Sequence, residues 1–519
     1  MPNKRIFAGA FFPQFAIPLL FAFVLVALST NWTFDLFAPQ FLWKAYNYYF
    51  LSLLDGGFDV PVESIGREGG FYEGKAYMYY GLLPALARVF LYPFVDLTQT
   101  PTSLFCIMLF TLSGLFMLQR SLNEAFYKRD KGLFSQSGLI WLILTTISWL
   151  GSATFMISQG GTIYHEPYAA SLCLFNFYLA LLIKDGFFQS ADHSSNFLPY
   201  AILAALAIHT RMPMALALFL CTGIIFLVQA YRFQVSNRKS TNIAVVAIAS
   251  IRLYWVSILT LFIGGLSILV LNYIKYADPM AFMGGNYGYS FLEGITDRKC
   301  KIIPTTEYKR FFRIIANSYI YLTGDWQGHW SLTWHLKTGY GRWELPLIPL
   351  GILWLVPLLC VVTSVGILMK GIKQLRNQVL LLGFFALSAG ALFQLSYPTI
   401  THRYIAELWA PFILATVWLA YAVRGKRLKN ILLTGIGVFA LVGVCYQLYL
   451  ANFDKYYLEN GPIYKHFNYH YSDADNDFLA SLTPELIITL KDKEKSEKEG
   501  GCKAIAERMG VAELLEQNK

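Results

Sequence analysis

The chain is divided by apolar runs, each close to the about 20 residues that an α-helix needs to cross a bilayer, and a water-soluble core has no place for so many of them. They occupy residues 6–29, 101–119, 137–157, 168–183, 253–271, 345–369, 377–396, 405–423 and 430–450. A longer run, 197–230, is interrupted by "HTRMP" and reads as two short helices turning at Arg211 and Pro213. The expectation is an all-α polytopic membrane protein with about eleven transmembrane helices. Composition agrees: only 14% of the residues are charged, against about 25% in an ordinary soluble domain.

The first run follows the basic "MPNKR", as a secretory signal would. Its length favours a retained anchor, because signal cores run about 7 to 15 residues. Orientation follows from the short basic connections. Lys4 and Arg5; Arg120, Lys128, Arg129 and Lys131; Lys184; Arg232, Arg238 and Lys239; Lys370, Lys373 and Arg376; and Arg424, Lys426, Arg427 and Lys429 all fall on one side if the chain turns at Arg211. The N-terminus is then cytoplasmic and the C-terminus outside. The net charge of +10 thereby faces anionic headgroups and gives no reason to expect nucleic acid as a partner.

With that topology, residues 31–100, 272–344 and 451–519 lie outside. The seven cysteines show no metal-ligand spacing, though a disulfide between Cys300 and Cys502 is open to the two outer ones. Asn31 begins an "NWT" sequon. The first outer loop carries Asp35, Asp55, Asp59, Glu63, Glu68, Glu73 and Asp96 against Lys44, Arg67, Lys75 and Arg88. Within it, "YMYYGLLPALARVFLYPF" pairs amphipathic rings with an apolar strip, which predicts a helix over 76–94 lying in the interface with Arg88 snorkelling. A mere aromatic connector is the alternative. Polar residues also stand at two later helix mouths, His165 and Glu166 in "SQGGTIYHEPY", and His402, Arg403 and Glu407 in "SYPTITHRYIAELWAP".

Several of these stretches, in order, resemble the GT-C class of bacterial membrane glycosyltransferases. "FYEGKAYMYYGLLPAL" is similar to the family's "YNGKYYxYFGPxPALL" segment in the first outer loop, and "AYNYYFLSLLDGGFDVP" to the segment before it. "IYHEPYAASLCLF", "HTRMPMALALFL", "NYIKYADPMAFMGGNY" and "HRYIAELWAPFIL" resemble later elements, so the likeness touches residues 45 to 415 at intervals. The resemblance implies a GT-C-like transmembrane domain over 1–450, with 451–519 as a small extracytoplasmic tail. It further implies transfer of a sugar from a polyprenyl-phosphate donor to a lipid, glycan or protein acceptor outside a bacterial inner membrane or plasma membrane, among membrane lipids. Members of the class use an acid of the first outer loop as base or positioning group, some with a divalent metal such as Mg2+ or Mn2+.

Where the family often has that Asp, this chain has Asn47, which cannot take a proton. Asp35, close behind the first span, is the preferred base, with Asp55 and Glu63 behind it; a solvated acid at a helix end is the competing reading. His165 and Glu166 are candidates for metal ligands, with Glu166 also a second acid, or else they cap a helix start before Pro167. Arg403 presents a permanently charged fork suited to phosphate, with Tyr404 beside it, unless it snorkels. Lys75, Tyr77, Arg211 and Lys275 are lesser donor-binding candidates. Trp326, Trp330 and Trp334 fall on one helix face and suit sugar stacking or interfacial anchoring.

A transporter or flippase is the rival class. Transporters place polar groups and broken helices near the midplane, whereas here polarity gathers at the outer mouths. A non-catalytic GT-C-like relative is the third possibility, kept open by Asn47. The sequence therefore predicts one outer cavity in which Asp35, His165, Glu166 and Arg403 meet.

Overall fold

The computed structural model describes residues 13–65, 68–73, 75–78, 81–127, 133–185, 197–236, 243–281, 310–325, 328, 331–332, 349–373, 375–397, 400–423 and 429–460. Cys300, Cys502, the three tryptophans Trp326, Trp330 and Trp334, and the chain beyond Asn460 lie outside them.

After α1 (Pro13–Ser29) the first loop folds as a cap built from α2 (Lys44–Leu54), β1 (Asp59–Val60), α3 (Val62–Ile65), β2 (Gly70–Tyr72), β3 (Lys75–Tyr77) and α4 (Leu83–Leu86), which runs on as a 3-10 turn, Ala87–Phe90. Then come α5 (Ser103–Leu122), α6 (Gln136–Leu150), α7 (Ala153–Ser158), α8 (His165–Lys184), α9 (Leu198–Ala207), α10 (Met212–Ser236) and α11 (Ile243–Tyr276). The chain ends with α12 (Arg310–Thr323), α13 (Leu350–Leu353), α14 (Leu355–Lys370), α15 (Leu375–Leu395), α16 (Ile405–Val423) and α17 (Asn430–Asn460).

Among the described residues, seven helical segments are long and apolar enough to cross a membrane, and four shorter apolar helices join them, eleven in all. The chain is thus an all-α polytopic membrane protein with a small cap, in keeping with the count read from the sequence. The break at "HTRMP" is real: α9 stops at Ala207, His209 and Thr210 turn, and α10 starts at Met212 with Pro213 in its first turn, where a missing N–H costs nothing. The α8 span is 89% buried while the Tyr254–Tyr276 span is only 17% buried. So α8 is the axis of the bundle, and α11 lies at its rim with an apolar surface fit for lipid.

Hydrogen bonds and ring contacts sort the helix ends into two groups. One end joins Ser29 to Gln159, Arg211 to Gln394 and Glu407, Asn317 to the Leu395 carbonyl and Lys275 to the Met78 carbonyl. The other joins Asn123 to the Gln14 carbonyl and to Trp141, Asp185 to Tyr200, and Phe126 to Tyr421. The cap sits on the first end.

The helix expected over 76–94 is shorter than the pattern predicted. Lys75–Tyr77 pairs as the central strand of an antiparallel sheet ordered β1-β3-β2, and helix begins only at Leu83, with Pro84 in its first turn. Leu86, Val89, Phe90, Tyr92 and Phe94 are exposed along it. Gly81 explains how the segment docks: a Cβ there would stand 2.1 Å from the His209 carbonyl, and the next turn adds a Leu83 N–H to His209 O hydrogen bond of 3.0 Å.

Close helix packing inside the bundle also depends on glycine. A Cβ at Gly390 of α15 would lie 2.3 Å from the Pro213 carbonyl of α10, whereas nothing lies within 4 Å of one at Gly435 of α17. Gly390→Val should therefore lower the Tm in detergent, by about 1–3 kcal/mol of stability as overpacking does. Gly435→Ala should leave it unchanged or raise it slightly, since alanine is the better helix former.

Candidate functional site

Two buried ion pairs organise the capped end. The first begins at Arg88, which the sequence placed in a snorkelling position and the structure buries completely. Its Nη1 and Nη2 donate to the two oxygens of Glu166, the second bond at 2.9 Å, and Nη1 also donates to the Pro84 carbonyl at 2.9 Å. Nε donates to Asn47 Oδ1 at 3.1 Å, and the Tyr46 ring lies 5.4 Å from the guanidinium. A lipid-exposed guanidinium would have to reach water; this one is matched by a carboxylate in fork-to-fork geometry and has no need to.

Asn47 is as buried as Arg88. Its Oδ1 accepts from Arg88 and from the Thr102 hydroxyl, and its Nδ2 donates to the carbonyls of Leu97 at 2.8 Å and Thr100 at 2.9 Å. All four positions are used, two as acceptor and two as donor. A carboxylate could replace the acceptor half only, and would then set its other oxygen against two carbonyls. An asparagine at this position therefore has a physical reason in this chain.

The second pair lies where α10, α15 and α16 meet. Arg211 donates through Nε to Glu407 Oε1 and through Nη2 to Gln394 Oε1, both at 3.1 Å. Its guanidinium carbon stands 3.9 Å from the centroid of Tyr168 and 5.8 Å from that of Tyr404, close enough for cation–π attraction. Four residues before Glu407, Arg403 lies 4.1 Å from the centroid of Tyr164, whose ring in turn stacks on Phe41 of the first loop at 6.3 Å. Tyr164 stands just before the first residue of α8, so the axis helix start carries Tyr164 and Tyr168 under the two arginines, one turn apart.

Other expected residues lie elsewhere. Asp35 is exposed, and its Oδ1 accepts from the Phe37 N–H at 2.9 Å in a turn of its own. Asp55 is exposed at the end of α2, and Glu63 is exposed in α3. Lys75 is a surface residue 3.6 Å from Asp59. Tyr77 is buried against Tyr276, ring centroids 5.5 Å apart. The expected meeting is thus partial: Arg403 and the His165–Glu166 helix start share Tyr164, while Asp35 bonds to Thr33 and Phe37 within its own turn.

His165 and Glu166 are both engaged by neighbouring side chains. Both carboxylate oxygens of Glu166 go to Arg88, and His165 Nδ1 shares a 2.7 Å hydrogen bond with the Thr162 hydroxyl. Among the described residues no group of three His, Cys, Asp or Glu side chains gathers as metal ligands would.

Burial also sets protonation on the cap. Tyr49 is held well above the ordinary phenol pKa by burial and by Tyr276 beside it, and Tyr77 is raised by burial and by the nearby Asp59. His209, in the turn on which Gly81 packs, has its imidazole pKa lowered by burial and then by the positive charge of Lys275. These groups are neutral near pH 7.

Sequence reasoning missed Glu407 as a site residue and misjudged Arg88. The signal for Glu407 was present: a lone carboxylate in the first turn of an apolar span requires a partner, and Arg211, at the one break in another apolar run, is the matching charge.

No protein-family model matches this sequence, and no curated protein sequence matches it. Among solved structures, the chain is similar to ArnT from Cupriavidus metallidurans bound to undecaprenyl phosphate, with 11% identity over 95% of this chain and 79% of that one and a TM-score of 0.35.

The Arg88–Glu166 contact makes a measurable prediction. Breaking it on one side, by Glu166→Ala, should cost about 3–5 kcal/mol by leaving a buried guanidinium unpaired. Replacing both partners, Arg88→Met with Glu166→Leu, should restore most of the Tm. If Glu166→Ala leaves the Tm in place and abolishes function, the residue is catalytic and the structural assignment fails.

Proposed function

We propose that the protein is a membrane glycosyltransferase that moves a sugar from a polyprenyl-phosphate-linked donor to a lipid, glycan or protein acceptor on the extracytoplasmic face of the cell membrane. The observation that carries this reading is Arg403. It stands at a helix mouth over the face of Tyr164, with Tyr404 beside it and the folded cap on the same end of the bundle. A lipid-linked phosphate reaches such a place sideways from the bilayer, its chain remaining in lipid while the headgroup meets the guanidinium. A planar fork recognises phosphate through two parallel bonds, and an aromatic face beneath it keeps it aimed.

The orientation supports the same reading. With the basic connections cytoplasmic, the capped end faces outside, where the sequence places its acidic loop. The buried charges that a transporter would carry at mid-depth are here at helix ends: Glu166 is second in α8, Glu407 third in α16, and Lys275 next to last in α11. That distribution favours an interfacial reaction over passage through the bundle.

The acid–base group is proposed to be Asp35, with Asp55 next. Both carboxylates are exposed on the cap end and neither is paired with a cation among the described residues, so each is able to take a proton from an acceptor hydroxyl as it attacks. Glu166, engaged on both oxygens by Arg88, and Arg211, engaged by Glu407 and Gln394, are better suited to hold the frame than to react.

With protein reconstituted in nanodiscs, Arg403→Ala should weaken farnesyl-phosphate binding about 10- to 100-fold, the size of a lost charge-assisted contact, and Arg403→Lys should not recover it, because a point charge replaces a fork. Asp35→Asn should lower turnover about 100-fold or more while the donor still binds. Unchanged turnover would transfer the base to Asp55. Unchanged phosphate binding in Arg403→Ala would remove the central support for the assignment.

A further inference from the structure

Around Arg211 three buried side chains present polar atoms with no partner among the described residues. They are the hydroxyl of Tyr168, Nε2 of Gln394 and Oε2 of Glu407. Their residues are only 1%, 3% and 2% exposed, and they come from three helices, α8, α15 and α16. The same side chains hold the guanidinium by their other atoms: Glu407 Oε1 and Gln394 Oε1 accept from it at 3.1 Å, and the Tyr168 ring lies against its face at 3.9 Å. The arginine is therefore the fixed centre, and each neighbour has one group left over.

A buried polar group without a partner costs about 1–3 kcal/mol, so three in one cluster are costly for a part whose role is purely structural. An apolar or smaller residue would serve packing better at each place. Phe in place of Tyr168 would keep the same ring under Arg211, and a shorter or apolar side chain at 394 would leave no amide to satisfy. What the three have in common is complementarity to hydroxyls. The amide donates, the carboxylate oxygen accepts, and the phenol does either. A set with both senses of hydrogen bond, beside an aromatic face, fits a polyhydroxylated ring. It does not fit a phosphate, which only accepts and would be repelled by Glu407.

We infer that Tyr168, Gln394 and Glu407, fixed about Arg211, form a subsite that binds the sugar ring of the donor. This deepens the proposed function and rests on it. The placement beside the phosphate site is direct: Arg403, Tyr404 and Glu407 lie on one turn of chain entering α16, and Tyr404 is 5.8 Å from the Arg211 guanidinium carbon. A sugar joined to a phosphate held at Arg403 would extend along that turn towards Glu407. Arg211 is then a positioning residue, because it orients Glu407 and Gln394 and leaves the ring to them.

The test uses full-length protein in nanodiscs and two separate probes: methyl glycosides of a hexose and a pentose, observed by saturation-transfer NMR, and farnesyl phosphate, observed by calorimetry. Wild type should show ring-proton saturation for at least one glycoside. Tyr168→Phe should weaken that signal about 2- to 10-fold and Glu407→Gln about 10- to 100-fold, the factors expected for neutral and charged hydrogen bonds. Farnesyl-phosphate affinity should be unchanged in both. Tyr168→Phe should also keep or raise the Tm of the free protein, since it deletes a hydroxyl that no protein atom uses; a lower Tm would mark that hydroxyl as structural and overturn its assignment. Farnesyl-phosphoryl-glucose should displace the glycoside, as a donor's sugar must. Simultaneous binding of both would assign the ring to the acceptor instead and overturn the donor assignment. Intact farnesyl-phosphate binding with no glycoside signal, or with equal signals in wild type and variants, would overturn the subsite while leaving the phosphate site standing. Loss of both ligands in wild type would overturn the proposed function along with it.

Discussion

The capped end of this protein depends on one buried contact, the bidentate pair between Arg88 of the cap and Glu166 at the start of the axis helix. Two charges out of water are unfavourable unless each is the other's partner and the remaining hydrogen-bonding positions are filled. Asn47, Thr102 and the Pro84 carbonyl fill them. The consequence is positional. The 3-10 turn at Ala87–Phe90 is fastened to α8 through Arg88, and α2 is fastened through Asn47 to that turn and, by Thr102, to the start of α5. Because α8 also carries Tyr164 and Tyr168, the contact that holds the cap sets the floor beneath Arg403 and Arg211 as well.

Arg211 and Glu407 repeat the same physics two residues further along α8, over Tyr168. In both pairs a cation from a connection meets a carboxylate from the first turn of an apolar helix, over a tyrosine face. The pairs differ in completeness. Around Arg88 both Glu166 oxygens are taken, whereas around Arg211 one oxygen of Glu407 is left over, with an amide of Gln394 and a hydroxyl of Tyr168. A finished network suits a joint, and an unfinished one suits a place where something binds. That contrast, rather than the identity of the charged residues, separates frame from site here.

Much of the architecture was legible in the sequence because the bilayer imposes a length on each crossing and a charge rule on each connection. The span count and the turn at "HTRMP" follow from those two constraints alone. The cap was less legible. Alternation over Lys75–Tyr77 is too short to announce a strand, so the aromatic stretch read as one helix from 76, and only the sheet pairing of β1 and β2 with β3 shows where it begins. Arg88 misled because long-range pairing leaves no local signature: its partner lies 78 positions away. Asn47 looked like the loss of an acid, and became intelligible only with the Leu97 and Thr100 carbonyls in view, both of which need a donor.

The central claim is that a lipid-linked phosphate is handled at the capped end, against Tyr164 and the turn leading into α16. A farnesyl phosphate carrying a diazirine on the carbon next to the phosphate, irradiated with nanodisc-embedded protein and mapped by peptide mass spectrometry, tests it most directly. Labelling should fall on residues 162–168, 209–213 and 400–408 and should be competed away by unlabelled farnesyl phosphate. Competed labelling confined to the opposite end, around 120–127, 184–185 or 420–423, would contradict the account.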